Sequence, residues 1–200
     1  MLNGGLGLTR SVLNLKVDQY APPPWPPAQV TLSAEAEALA LPLPCTGMMT
    51  AASMQSLGEC QLSRSDLQVS CWVTSGLSNL RRAGDEADCR QQPGTINIIL
   101  HVNQALADAA MAEALILLTE AKVTAVRDLA LLSPVSERPA SGTGTDSHAV
   151  LCPVAPPAGP APHEFCGKHT LLGELIGRAV LNACTHSLNQ CIRAMSKACD

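Results

Sequence analysis

TINIILHV, Thr95 to Val102, enters from a Pro-Gly pair and gives way within a few residues to a long Ala- and Leu-rich run opening at Asp108. Its residues are β-branched or aliphatic at most positions, the pattern of a strand near the centre of a sheet. Asp108 is a good N-cap for the helix that follows, which is expected to end near Leu132, before Ser133-Pro134. SHAVLCPV (Ser147–Val154) then reads as another strand, so strand, helix and strand alternate around this stretch. Outward from it, VLNLKV (Val12–Val17) alternates apolar and polar positions, and LQVSCWV (Leu67–Val73) reads as a further strand. A last helix is expected from about Thr170 to Met195. Strands alternating with long helices predict an α/β fold: a single layered domain over residues 1–200, its mixed β-sheet packed by long helices.

Bulk composition narrows the function. Hydrophobic residues make up 46% of the 200, enough for a sizeable core, while aromatics are only 2%. Few aromatics and a formal charge of −4 argue against nucleic acid, which calls for stacking platforms and a basic footprint. The start, MLNGGLGLTRSV, lacks the apolar core of a secretory signal, and no apolar run is long enough to cross a bilayer. The nine cysteines form no CxxC pair. A cytoplasmic protein with reduced, mostly buried thiols is expected, with no membrane partner and a homo-oligomer left open. APPPWPPAQ is too rich in proline for regular structure and reads as a polyproline-like surface loop, with a short helix from Ser33 to Leu41 after it.

Several clusters carry chemistry. On a helical wheel Glu113, Glu120, Thr124 and Arg127 share one stripe of the helix after Asp108, and Met111, Leu115, Leu118, Val126 and Leu129 form the opposite one. Lys122 lands in the middle of the apolar stripe. It must snorkel, pair with a carboxylate, or carry a lowered pKa in a cleft. GTGTDS (Gly142–Ser147) is either a turn into a strand or a polar cradle, since glycines admit a ligand close to the backbone and consecutive N–H groups can form a nest. Gly94-Thr95, with Asn97 beyond, repeats this grammar at the central strand. Two such entrances to adjacent strands would align polar groups along one sheet edge. Asn79, Arg82 and Asp85, after the LQVSCWV strand, suit amide and carboxylate recognition. HEFCGKH (His163–His169) has short metal-like spacing on one side only, so no metal site is expected. Gly173 and Gly177 form a GxxxG that predicts close helix packing.

NGGLGLTRSVLN, TGMMTAA, TSGLSNLRRAGD, GTINIIL, TEAK, GTGTDS and GKHTLLGELIGRAV, in this order, resemble the adenosylcobinamide amidohydrolase family, CbiZ, over nearly the whole chain. The resemblance implies a corrinoid-salvage hydrolase that cuts the amide joining the aminopropanol arm to the corrin ring. The cobalt corrinoid would be its substrate, with no resident cofactor. Members of the family usually carry a further upstream segment, so a short N-terminus is expected, and the proline-rich stretch after Leu151 is expected near the substrate mouth. The matched positions include Asn79, Arg82, Thr95, Asn97, Gly142, Thr143, Gly144, Glu120 and Lys168, which are assigned to substrate binding. Chemistry suggests His169 as the acid/base, Asp146 as its orienting partner, Lys122 as proton donor or counter-charge, and Thr145 as a nucleophile rivalling water. Under that assignment Asp146→Asn should spare folding and lower turnover. A non-catalytic corrinoid-binding protein is the alternative. Asp146-x-His148 matches part of the base-off cobalamin motif, but Leu151 occupies the required glycine position.

Overall fold

A computed structural model of the chain describes residues 4–88 and 94–197. Asn3, Cys89, Pro93 and Cys199, which fall within the sequence motifs and the cysteine count above, lie outside them. The strand predicted at Thr95–Val102 forms as β6 (Ile96–Val102) and is interior to a four-stranded sheet. The sheet runs β3 (Gly58–Arg64), β4 (Leu67–Ser75), β6, β8 (Ser147–Leu151). The β3–β4 and β4–β6 pairings are antiparallel, and β6–β8 is parallel. The α/β prediction with a mixed sheet therefore holds.

Alternation along β6 sorts its two faces. Ile96, Ile98, Leu100 and Val102 are fully buried in one core with Val69, Cys71 and Val73 of β4. That core is closed by α2 (Asp108–Asp128) and α3 (Leu171–Lys197): α3 covers β3 and β4, α2 reaches β8, and the helices pack on each other. The opposite face of the sheet meets a separate unit, in which β1 (Ser11–Lys16) and β2 (Cys45–Thr50) pair in parallel with α1 (Ala28–Ala38) between them. Two residues each of β5 (Leu80–Arg81) and β7 (Gly142–Thr143) form a small antiparallel pair beside the main sheet.

Several boundaries differ from the sequence reading, for local reasons. Helix α1 begins at Ala28 instead of Ser33, directly after Pro27, because a proline at a helix start lacks only an N–H that would have had no partner. Helix α2 ends at Asp128, short of Leu132. Ala130 takes φ +53° and Leu131 N–H donates to the Val126 carbonyl at 3.3 Å, a left-handed cap built on alanine that no glycine announces. Its buried stripe is also rotated from the wheel: Ala110, Ala114, Leu118, Ala121 and Ala125 turn inward, and Leu115 is 44% exposed. Small alanines let a neighbouring helix approach closely, so they outcompete the larger leucine for that face. Of the GxxxG pair, Gly173 is required by a loop and not by a helix. A Cβ there would lie 2.1 Å from the Gly167 carbonyl oxygen, whereas Gly177 has ordinary room beside Leu117.

Among the described residues Cys60, Cys71, Cys152, Cys166, Cys184 and Cys191 are free thiols. Burial pushes the thiol of Cys184 up to about 12 and that of Cys166 to about 11, so both stay protonated at neutral pH. Among the described residues no helix is long and apolar enough to cross a membrane.

Candidate active site

The two Gly-Thr entrances lie side by side because β6 and β8 are parallel neighbours, with Asn97 opposite Ser147. Between them sits the Asp146 carboxylate. It accepts hydrogen bonds from Lys122 Nζ at 2.5 Å, from the Ile96 amide at 3.1 Å, and from the amide (3.1 Å) and hydroxyl of Thr143. The Lys122 and Asp146 side chains are only 7% and 8% exposed. A charge so far from water must be paired, and of the three outcomes open to Lys122 the fold takes the carboxylate. Gly142 makes the pair fit: at φ +152°, a Cβ there would fall 2.2 Å from Asp146 Oδ2 and 2.8 Å from Lys122 Nζ. Asp146 thus clamps α2, the start of β6 and the 142–146 turn together.

The clamp presents two hydroxyls. Thr145 Oγ1 donates to the Gly94 carbonyl at 2.9 Å. A hydroxyl has one proton, so in the 2.6 Å contact between Thr95 and Thr145 the donor is Thr95. Asn79 completes the group from the loop after β4. Its carbonyl accepts from Gly144 N–H at 3.0 Å, and its residue surface is 97% buried, with 3% exposed. A Cβ on Gly144 would come within 2.8 Å of Asn79 Nδ2, so the glycine keeps that amide clear. Among the described residues the Asn79 side chain has no hydrogen-bond partner, yet it lines a cleft.

That cleft, about 950 Å³ in volume, opens where the β1–α1–β2 unit meets the main sheet. The unit contributes Trp25, Pro26, Met49 and Thr50, and the sheet side contributes Asn79, Arg82, Thr95, Gly144 and Thr145. Arg82 is anchored by its Nη1 on the Pro139 carbonyl at 3.0 Å. Asp85, also on the lining, accepts from Ser133 Oγ at 2.5 Å and from the Arg82 amide at 2.7 Å. Those hydrogen bonds, the Ser133 hydroxyl foremost, hold its carboxyl below the usual range.

The remaining candidates lie elsewhere. Asn97 is a strut and not a cleft donor: its Nδ2 donates to Asn14 Oδ1 at 2.8 Å and to the Met49 carbonyl at 3.0 Å, tying the sheet to the β1–β2 pair. Glu120 and Lys168 pair with each other on the exposed outer side of α2. His169 is exposed just before α3 and is not among the residues lining the cleft. The expected Asp146–His169 pair is not formed, because Lys122, Thr143 and Ile96 occupy the carboxylate. Asp146→Asn therefore removes half of a buried ion pair, so the structure argues for a cost in folding where the sequence reading expected none. The segment Pro153–Ala155, expected at the substrate mouth, borders a second cavity of about 870 Å³ along β8.

Sequence reasoning noticed His148 only as part of an incomplete cobalamin motif and gave it no role. On β8 opposite Ile98 it faces the helices, where burial and then the Lys122 charge push its pKa down to about 4. Its Nε2 is buried without a partner. The only available signal was its place two residues after Asp146.

The fold defines an α/β protein with a cleft beside the starts of its parallel strands β6 and β8, floored by Thr95, Gly144 and Thr145. The model of the adenosylcobinamide amidohydrolase family, CbiZ, matches residues 1–196, and the chain belongs to that family. A protein of Methanosarcina mazei named adenosylcobinamide amidohydrolase is 30% identical over 187 residues, covering 90% of this chain and 83% of its own length. A protein of Methanocaldococcus jannaschii described as uncharacterized is 32% identical over 161 residues, covering 70% of this chain and 61% of its own. The chain thus spans less than two thirds of that second relative. No solved structure matches.

Proposed function

We propose that the chain hydrolyses the amide between the aminopropanol arm and the corrin ring of adenosylcobinamide, giving adenosylcobyric acid and the free amino alcohol. The observation that carries this is Asn79, a residue 3% exposed that lines the cleft and whose side-chain amide makes no hydrogen bond among the described residues. An amide held in place by its surroundings and open to a cleft is available to a ligand that completes its hydrogen bonding. Family membership supplies the class of bond.

Hydrolysis needs polarisation of the carbonyl, an oxygen nucleophile, and a proton for the leaving amine. Asn79 Nδ2 donates to the amide oxygen as it gains negative charge. Water attacks in preference to Thr145, because the Thr145 proton is given to a backbone carbonyl, which is no base. Thr145 Oγ1 and Thr95 position that water, and the Lys122–Asp146 clamp fixes both hydroxyls. The water oxygen ends in the new carboxylate, the C–N bond breaks, and the water protons leave with the amine. The carboxylates of Asp18 and Glu86 line the same cleft and are the proton acceptors at hand. The corrin ring stays at the open mouth while its arm enters.

Incubation with adenosylcobinamide should release aminopropanol and a corrinoid heavier by one hydroxyl and lighter by the amine. Absence of both products ends this reading. Binding without turnover is the second reading, favoured by the lack of a base among the hydrogen-bond partners of Thr145. Adenosylcobinamide that binds and is recovered intact would establish it.

A further inference from the structure

We infer that Trp25 is a specificity residue that stacks on a flat conjugated surface of the ligand at the mouth of the cleft. The inference rests on the amide-hydrolase reading for its ligand and on the geometry of one loop for its substance.

The chain has only two tryptophans, one tyrosine and one phenylalanine in 200 residues, and its core is built without relying on them. Aromatic side chains carry the largest apolar surfaces, so leaving one in water forgoes the most burial. Yet Tyr20 and Trp25, half of that small set, stand on one loop at 84% and 58% exposed. Trp25 lines the cleft together with its neighbour Pro26. Its indole N–H donates to the Ala21 carbonyl at 2.7 Å. The polar tip of the ring is thereby satisfied within the loop, and the surface left to solvent is chiefly carbon.

The loop is stiff as well. Prolines at 22, 23, 24, 26 and 27 surround Trp25, and α1 begins directly afterwards at Ala28. A side chain held on such a scaffold loses little freedom when a ligand arrives, which is how preorganised aromatic anchors gain affinity. A loop needing only a clip could use the same N–H on a smaller or buried side chain. A large exposed ring lining a cleft suits a planar partner. The proposed ligand has two such surfaces, the conjugated corrin and the adenine of its axial adenosyl group.

The test is equilibrium binding of adenosylcobinamide, cyanocobinamide and adenosine to the wild type, Trp25→Phe and Trp25→Ala, with thermal melts of each. Stacking on a planar ring is lost on alanine substitution with about a tenfold or greater weakening, and phenylalanine should restore most of it at an unchanged melt. A loss confined to adenosyl-bearing ligands assigns the adenine, and a loss shared by cyanocobinamide assigns the corrin. Equal binding by wild type and Trp25→Ala overturns the inference. Trp25-dependent binding without amine release sinks the hydrolase reading alone, and a wild type that binds none of the three ligands sinks both.

Discussion

The four-stranded sheet with α2 and α3 and the β1–α1–β2 unit draw on the same aliphatic residues but are held by different forces. In the first, strand and helix faces interlock in one continuous apolar core, from Val69 and Ile98 to Leu118, Ile176 and Leu188. In the second, Leu32, Ala36, Cys45 and Met48 are buried in the unit but lie outside that core. Hydrogen bonds tie the two together: Asn14 Nδ2 donates to Thr74 Oγ1 at 2.9 Å, and Asn97 bridges to Asn14 and the Met49 carbonyl. Hydrogen bonds are directional and saturable, whereas apolar contact is not. A polar seam can therefore hold two bodies in register and still leave a gap beside the contacts. The cleft is that gap.

The sharpest way to break the comparison is at the clamp behind the cleft. Among the described residues the only carboxylate paired with Lys122 is that of Asp146, whereas Asp146 has Thr143 and Ile96 as well. Removing the anion should therefore hurt more than removing the cation. Asp146→Asn is expected to destabilise by about 3–5 kcal/mol, because it leaves a buried ammonium without its counter-charge. Lys122→Met should cost roughly half of that, since it leaves a carboxylate that keeps its other hydrogen bonds. Urea titrations of both variants decide it, and equal losses would mean that the ion pair, and not the cage of donors, carries the clamp.

Next in size is an effect on rate. Asn79→Ala should lower kcat by about 10²-fold or more, the usual consequence of losing one donor to a developing oxyanion. Its melting temperature should move little, because the Asn79 side chain has no partner among the described residues to lose. A variant with normal turnover would move the reaction away from this cleft.

The third prediction concerns pH. The His148 pKa is pushed down to about 4 in the folded chain, from an ordinary value of 6.5. Between those values the unfolded chain binds the proton and the folded one does not, so stability rises with pH across that window. It is fully present above about pH 6.5 and lost by about pH 4, a change of roughly 2–3 kcal/mol. Midpoints of urea unfolding at several pH values should show a slope that His148→Gln removes. A slope that persists in His148→Gln would place the proton elsewhere.

These contrasts also mark where the sequence is legible. Periodicity located β4, β6, β8 and both long helices to within a few residues, because each must bury an apolar face against the main core. It missed β2 and β3: CTGMMT and GECQLSR mix glycine, threonine and charge, and their strand character comes from pairing with β1 and β4. At the site, Gly-Thr spacing brought Thr95, Gly144 and Thr145 into view, and the single misplaced cation on the wheel exposed Lys122. Partnership was legible in part: Lys122 was open to a role as counter-charge to Asp146, while Asp146 itself was assigned to His169. Whether Asp146 meets Lys122 or His169 depends on which side of α2 faces the sheet, and a crowd of alanines set that rotation. Asn97, polar within an apolar strand, looked like a ligand donor because the unit it anchors could not be seen.

Asn97 gives the fourth test, aimed at the seam itself. Asn97→Ala removes the bonds to Asn14 and Met49 and strands their acceptors, at about 1–2 kcal/mol. Hydrogen exchange should quicken in β1 and β2 while β4 and β6 stay protected, since the aliphatic core is untouched. Uniform loss of protection would show that the two regions unfold as one unit, and the contrast between them would disappear.

The smallest expected effect lies on the far side of α2. The side chains of Lys168 and Glu120 are 71% and 48% exposed, and their ion pair faces water. Exposed pairs contribute about 0–1 kcal/mol, because solvent screens the attraction and two long side chains lose freedom in making it. Lys168→Ala should thus shift stability by less than about 1 kcal/mol and leave turnover of adenosylcobinamide unchanged. The variant tests location more than energy. Lys168 lies within the residues that the family matches, and the sequence reading assigned it to substrate binding. Helix α2 nonetheless interposes its full width: Lys122 faces the clamp on one side, and Glu120 holds Lys168 on the other. A loss of kcat in Lys168→Ala, with the melt unchanged, would require a substrate long enough to wrap around α2 or a reaction centred on the outer face.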